Sequence, residues 1–242
     1  MSYIFREHIK QSLAVIAFLI TLTACTSESY DAGDGPNSYL TADLVLLHTS
    51  QDKSVRSALL DDGTTLQFSN PFAQDWLTRP DSVYRALLYY DKTVAASDAA
   101  ASNPTATSIV RARSVRPVSV LRPVEAADVK TLRTDPVGFE SIWLSKNKSY
   151  INLSLLLKSG KTEADDALHA LGIVSHGTTT DADRRRTLHL TLYHDQGGVP
   201  AYYTVQQYVS IPTQLLEEAD TIELTLNTYN GKKVVKVAVS NL

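Results

Sequence analysis

The stretch Ser149–Lys158, SYINLSLLLK, decides the fold. Ile151, Leu153, Leu155 and Leu157 occupy every second position, opposed by Tyr150, Asn152 and Ser154. Successive side chains of a strand point to opposite faces, so this spacing describes a strand with one face in a core. The device returns at Arg186–Asp195, RTLHLTLYHD, where Leu188, Leu190 and Leu192 oppose His189, Thr191 and Tyr193. In Ala201–Ile211, AYYTVQQYVSI, it sets Tyr203, Val205, Val209 and Ile211 against Tyr202, Thr204, Tyr208 and Ser210. The run TIELTLNTY, then Asn230-Gly231, then KKVVKVAVSNL predicts a closing hairpin with a type I′ turn, which needs positive φ at its two central residues. Many strands with this alternation are expected to be antiparallel and to pack as a β-sandwich.

Toward the N-terminus the β pattern continues from Tyr39. Asp62-Gly63 between apolar runs signals a hairpin. Tyr84–Val94, YRALLYYDKTV, follows an aromatic patch at Phe72 and Trp76, with Trp76 in a loop-like segment. Residues 95–107 are small and polar and read as a loop. Beyond them Ile109, Arg111 and Arg113 alternate with Val110, Ala112 and Ser114, a half-solvated strand that Pro117 places near an edge. A boundary is expected in VEAADVKTLRTDPVG (Val124–Gly138), where one helical turn and Asp135-Pro136 interrupt the β pattern. Helix is otherwise scarce, with room for a turn or two in ADDALHALG (Ala164–Gly172). Trp143, beside Ile142, is expected in the sandwich core.

Composition narrows the function. Hydrophobic residues make up 43% of the 242-residue chain, enough for a packed core. A formal net charge of −3 lacks the cationic excess that phosphate-tracking proteins need, which argues against nucleic acid as a partner. Cys25 is the only cysteine, so neither a disulfide nor a thiolate metal site supports the fold. It directly follows Leu22-Thr23-Ala24 and an apolar run, Leu13–Thr21, preceded by Arg6 and Lys10. That run is too short to span a bilayer permanently and has the layout of a signal peptide. A thiol after small residues at the cut site is a lipobox. Residues 1–24 are therefore expected to be removed by a lipoprotein signal peptidase, leaving Cys25 lipidated and the chain attached to a membrane by its N-terminal lipid. Residues 25–38, rich in Gly, Asp and Ser, read as a flexible tether. Thr26 stands where inner-membrane retention needs an acidic residue, and Glu28 and Asp31 weakly favour export, so the expected address is the outer membrane, with its periplasmic leaflet and the cell surface both left open.

LYHDQGGVPAYYTVQQYVSIP (Leu192–Pro212), the IW-x(6)-YINLSLLL run (Ile142–Leu157) and the lipobox together resemble the NigD-like lipoproteins of Gram-negative gut anaerobes. The resemblance covers essentially the whole mature chain. It implies an all-β protein: an N-terminal OB-like five-stranded barrel, drawn at residues 39–130, followed by an antiparallel β-sandwich at 131–242. Ala201 departs from the acidic residue of the family's stretch, and Arg184-Arg185-Arg186 is peculiar to this chain. The family's name comes from a bacteriocin-associated gene cluster, so the resemblance also implies an accessory or immunity role as an alternative.

The candidate chemistry is sparse. Ser159-Gly160-Lys161-Thr162 has the end of a phosphate-binding loop but Leu155 where its first glycine belongs, so a hairpin turn is expected there. No G-x-S-x-G, H-E-x-x-H or paired CxxC motif is present, and the reading is of a non-enzymatic protein without metal or cofactor. His189 and His194 differ by an odd number and point to opposite faces, while His48, His169 and His176 show no ligand spacing. His194-Asp195-Gln196-Gly197-Gly198 admits two readings. Asp195 and Gln196 offer oxygens to a cation or sugar beside stacking rings from Tyr202 and Tyr203, or the segment is a self-capped polar turn, which explains every residue and is favoured. Arg111, Arg113, Arg116 and Arg122 give the first domain local positive charge, the solvated face of a strand or a glycan-binding surface. Asp81-Ser82-Val83 and Asp220-Thr221-Ile222 resemble O-glycosylation sites of such bacteria at Ser82 and Thr221. The expected partner is an envelope glycan or another envelope protein.

Overall fold

Alternating apolar residues close the first five strands into a barrel. The computed structural model describes residues 40–92, 108–161, 168–216 and 219–239. The signal segment, Cys25 with its Leu22-Thr23-Ala24 motif, the tether and the predicted loop at 95–107 lie outside the described residues. Strands β1 (Leu40–Thr49), β2 (Val55–Leu60), β3 (Thr65–Phe72), β4 (Val83–Lys92) and β5 (Ser108–Pro117) run in the order β1-β2-β3-β5-β4. β3 and β5 pair in parallel, and the closed order is that of the OB-like barrel. Val45, Leu47, Ala58, Leu66, Ala86, Leu88 and Val110 fill it, and Trp76 packs onto this core edge-to-face with Tyr84. The predicted hairpin at Asp62-Gly63 joins β2 to β3. β5 lies between β3 and β4 rather than at an edge, because a closed barrel has none; Pro117 simply ends it.

The remaining strands form two stacked sheets. One has the order β14-β13-β11-β10-β7, from β7 (Pro123–Glu125), β10 (Ala170–Thr180), β11 (Arg186–Asp195), β13 (Thr221–Thr228) and β14 (Gly231–Ala238). The other has the order β6-β12-β9-β8, from β6 (Ser119–Val120), β8 (Gly138–Leu144), β9 (Tyr150–Ser159) and β12 (Tyr203–Pro212). Ile151, Leu153, Leu155, Leu188, Leu190, Val209 and Ile211 meet in the core between them, as their period of two requires. The described residues from Thr41 onward form one compact unit.

Three expectations change. The sandwich is mixed, since β10–β7, β11–β13 and β12–β6 pair in parallel. The division at residue 130 falls too late: β6 and β7 each add to a sandwich sheet, so the second domain starts near Ser119, directly after β5. Short strands with few residues to alternate leave no period to read. The expected helical turn is a 3₁₀ turn at Ala126–Asp128.

Two turns also differ in detail. The last hairpin pairs Thr228 with Gly231, so its central residues are Tyr229 and Asn230, and only Gly231 takes positive φ, at 101°. The register is unbroken, so this is a tight two-residue turn whose positive φ falls on the residue after its centre, rather than type I′. Gly160 does not open a hairpin, because β9 is followed by β10 in the opposite sheet. A Cβ there would lie 2.8 Å from the Tyr202 ring and 2.9 Å from the Pro200 carbonyl oxygen, so close approach explains the glycine. Part of the Ala164–Gly172 stretch lies outside the described residues, and its end, Ala170–Gly172, opens β10.

Candidate functional site

β4 uses both of its faces. Ala86, Leu88 and Tyr90 point into the barrel, while Arg85, Leu87 and Tyr89 face the sandwich. The outer face of β9 and β12 receives them, which buries Asn152 and Ser210 although their strand positions oppose the sandwich core. Arg85, only 5% exposed, is the centre of the contact. Its Nη1 and Nη2 donate to Asp61 Oδ1 and Oδ2 at 2.6 and 2.7 Å, a bidentate pair within the barrel. Its Nε donates to Ser210 Oγ at 3.1 Å and its Nη2 to Asn152 Oδ1 at 3.0 Å, both on the sandwich. Asn152 Nδ2 donates back to Asp61 Oδ2 at 2.9 Å, Ser210 Oγ donates to Asn152 Oδ1 at 2.7 Å, and the guanidinium lies 4.4 Å from the centre of the Tyr150 ring. A buried charge is tolerated only when paired and hydrogen-bonded, and here both conditions hold.

Apolar packing flanks this network. Leu44, Leu87 and Val118 are buried together, with Tyr89, Trp143 and Tyr208 against them, and Trp143 meets Tyr208 edge-to-face at 6.4 Å. Trp143 thus belongs to the barrel–sandwich junction rather than to the sandwich core. Its position on β8 opposes Ile142, which packs with the core instead.

Beside the junction opens a cleft of about 350 Å³. The barrel contributes Asp43, Asp61, Asp62, Leu87 and Tyr89 to its wall, and the sandwich contributes Trp143, Lys146 and Tyr208. Tyr90 donates its hydroxyl to Asp43 Oδ2 at 2.8 Å. Burial and that carboxylate both raise the Tyr90 pKa, which keeps the phenol a donor. Against the cost of burial, hydrogen bonds from Thr64 and the charge of Lys146 hold the Asp62 carboxyl below its ordinary value, so it stays an ionised acceptor. A smaller cleft of about 260 Å³ shares Leu87, Tyr89 and Tyr208 and adds Arg116.

The residues singled out in the sequence behave differently. Asp195 Oδ1 accepts the Gly197 N–H at 2.9 Å and its Oδ2 pairs with Arg133 Nε at 3.1 Å. Gln196 Nε2 donates to the Val199 carbonyl at 2.7 Å, and its N–H donates to Asp135 Oδ2 at 2.8 Å. Gly197 sits at φ 61°, where a Cβ would lie 2.3 Å from the Leu168 carbonyl oxygen. The segment is the self-capped turn. Tyr202 and Tyr203 are exposed at the start of β12, in the sheet opposite Asp195, so the four residues do not gather into one cluster. Arg113 pairs with Asp91, and Arg111, Arg116 and Arg122 are exposed. Ser82 lies in the turn before β4 with its hydroxyl donating to the Pro80 carbonyl at 2.8 Å; Thr221 opens β13 between Thr187 and Ala238.

The histidines divide by face as their parity predicts. His189 Nδ1 meets Glu223 Oε1 at 3.1 Å on the outer face, and His194 is buried on the inner one. His194 Nδ1 lies 2.9 Å from the Asp135 carbonyl oxygen, which only accepts, so Nδ1 carries the proton. His194 Nε2 therefore accepts from His169 Nδ1 at 3.0 Å, and the two rings stack. Among the described residues no group of three or more His, Cys, Asp or Glu could hold a metal ion.

Sequence reading passed over Arg85, Asp61, Asn152 and Ser210. One signal was present: Tyr84–Tyr90 is apolar on both faces apart from Arg85, and a strand apolar on both faces is covered on both.

Residues 120–239 match the family of NigD-like C-terminal β-sandwich domains. A search of curated proteins gave no match. Among solved structures, a NigD-like immunity protein from Bacteroides caccae is 24% identical, with a TM-score of 0.59 over 81% of this chain and 91% of that one. A protein described as a candidate lipoprotein from Bacteroides fragilis is 13% identical, with a TM-score of 0.57 over 83% of this chain and 98% of that one. A candidate toxin-related protein from Parabacteroides distasonis is 19% identical, with a TM-score of 0.54 over 82% of this chain and 92% of that one. At these identities the likeness to each is one of fold, and it extends over barrel and sandwich together. The chain belongs to the NigD-like family, with residues 120–239 forming the family's C-terminal β-sandwich domain.

Proposed function

We propose that this chain is a lipid-anchored, non-catalytic binding protein of the outer membrane whose site is the cleft between barrel and sandwich. The observation that carries this reading is the buried Arg85 network, which fixes one wall of an aromatic and carboxylate-lined cleft against the other. A pre-ordered cleft lowers the entropy cost of binding. The His194–Asp195 cluster, the best sequence candidate for reactive groups, is engaged by its own backbone and neighbours, which favours binding over catalysis. The Leu22–Cys25 motif supports the anchor, in keeping with the lipoprotein description of the B. fragilis neighbour. The partner is an envelope glycan or protein.

Fractionation of the host tests the anchor. The native chain is expected in the outer membrane and accessible to protease added to whole cells, and Cys25→Ser is expected to release it. A Cys25→Ser chain that stays membrane-bound contradicts the reading. The B. caccae and P. distasonis neighbours support a second reading, an immunity or accessory role beside a bacteriocin. A deletion strain that becomes sensitive to a neighbouring toxin would favour it.

A further inference from the structure

The geometry points to a neutral saccharide, one or two sugar rings of a longer glycan, as the occupant of the barrel–sandwich cleft; this rests on the binding role proposed above and names its ligand class. At about 350 Å³ the cleft is at the small end of ligand sites. Its wall combines ring surface from Tyr89, Trp143 and Tyr208 with donors and acceptors around it. No hydrogen bond among the described residues engages the Tyr89 and Tyr208 hydroxyls or the Trp143 indole N–H. The Asp43 and Asp62 carboxylates, which accept from the Tyr90 hydroxyl and the Thr64 N–H, supply the acceptors of this wall.

Charge decides between ligand classes. Asp61 is neutralised by Arg85, and Asp62 lies beside Lys146, so a cation gains little and would displace existing partners. An anion would meet the Asp43 and Asp62 carboxylates with only Lys146 to offset them. A sugar avoids both costs. Its hydroxyls donate to Asp43 and Asp62 and accept from the tyrosines and the indole, while its C–H faces lie against the rings.

The test uses the chain from Thr26 onward, which retains every described residue, with saturation-transfer NMR and calorimetry. The probes are maltose, chitobiose, mannobiose, galactobiose and xylobiose, with sialyllactose and trilysine as charged comparators. At least one neutral disaccharide is expected to bind, and neither comparator. Trp143→Leu is expected to weaken binding at least tenfold. Tyr208→Phe, which removes one oxygen and keeps the packing, is expected to weaken it by about three- to tenfold. Silence from all five disaccharides, binding unchanged by both substitutions, or preference for a charged comparator overturns the assignment. A photo-crosslinker at position 146 in lipidated protein separates the two levels. If no saccharide binds but the crosslinker captures an envelope protein, the saccharide class falls and the binding role stands; if neither is seen, both fall.

Discussion

Two polar clusters of this chain look alike in composition and differ in reach. The Asp195–Val199 turn caps itself, Asp195 holding Gly197 and Gln196 holding Val199, and its longer contacts, to Arg133 and Asp135, stay within the sandwich. The Arg85 cluster draws Asp61, Asn152 and Ser210 from 24, 67 and 125 residues away. A cluster whose contacts stay within one domain shapes that domain's own turn. One assembled across the chain ties together the parts that supplied it, and here those parts are two domains.

The largest expected effect breaks the distant cluster. Arg85→Met leaves Asp61 partly buried without its cation and should cost about 3–5 kcal/mol, measured by urea unfolding. Adding Asp61→Leu should return much of that loss, because a buried pair replaced by apolar residues is often close to neutral. The second effect tests what holds the local cluster. Gly197→Ala meets the Leu168 carbonyl and a left-handed backbone, and should cost about 1–3 kcal/mol. Asp195→Ala removes one turn cap and an exposed ion pair and should cost at most about 1 kcal/mol. If Asp195→Ala rivals Arg85→Met, the contrast between the clusters is wrong.

The histidine pair beside the turn adds a pH dependence. Burial and the neighbouring His194 both hold the His169 pKa below its ordinary value. The unfolded chain therefore takes up the proton first, near pH 6.5, and stability falls as pH drops through that value and is full above it. Thermal unfolding from pH 8 to pH 5 should show this slope, and His169→Gln should flatten it. The smallest effect is a gain. Arg184 holds φ 62° in the β10–β11 turn, a conformation that favours glycine, so Arg184→Gly should stabilise by about 0.5–1 kcal/mol in the same assay.

What could be read from residues follows the same division. The strands of the sandwich were legible because Leu153, Leu190 and their neighbours repeat at two, and the Asp195 turn because its chemistry is local. The family resemblance, rather than periodicity, supplied the barrel. β6 and β7 are too short to show a period, which displaced the domain boundary. Asn152 and Ser210 look like solvated positions, since alternation says which residues oppose a core but not what covers the opposite face. For that reason Trp143 was assigned to the wrong cluster and the cleft was invisible.

The central claim is that the Arg85 network makes barrel and sandwich one cooperative unit. It is tested most directly by urea unfolding of the chain from Thr26 onward, followed both by Trp76 fluorescence, within the barrel and with Trp143 replaced by Phe, and by far-ultraviolet circular dichroism. Coincident midpoints that separate in Arg85→Met are the predicted result. Two separate transitions with Arg85 in place would contradict it.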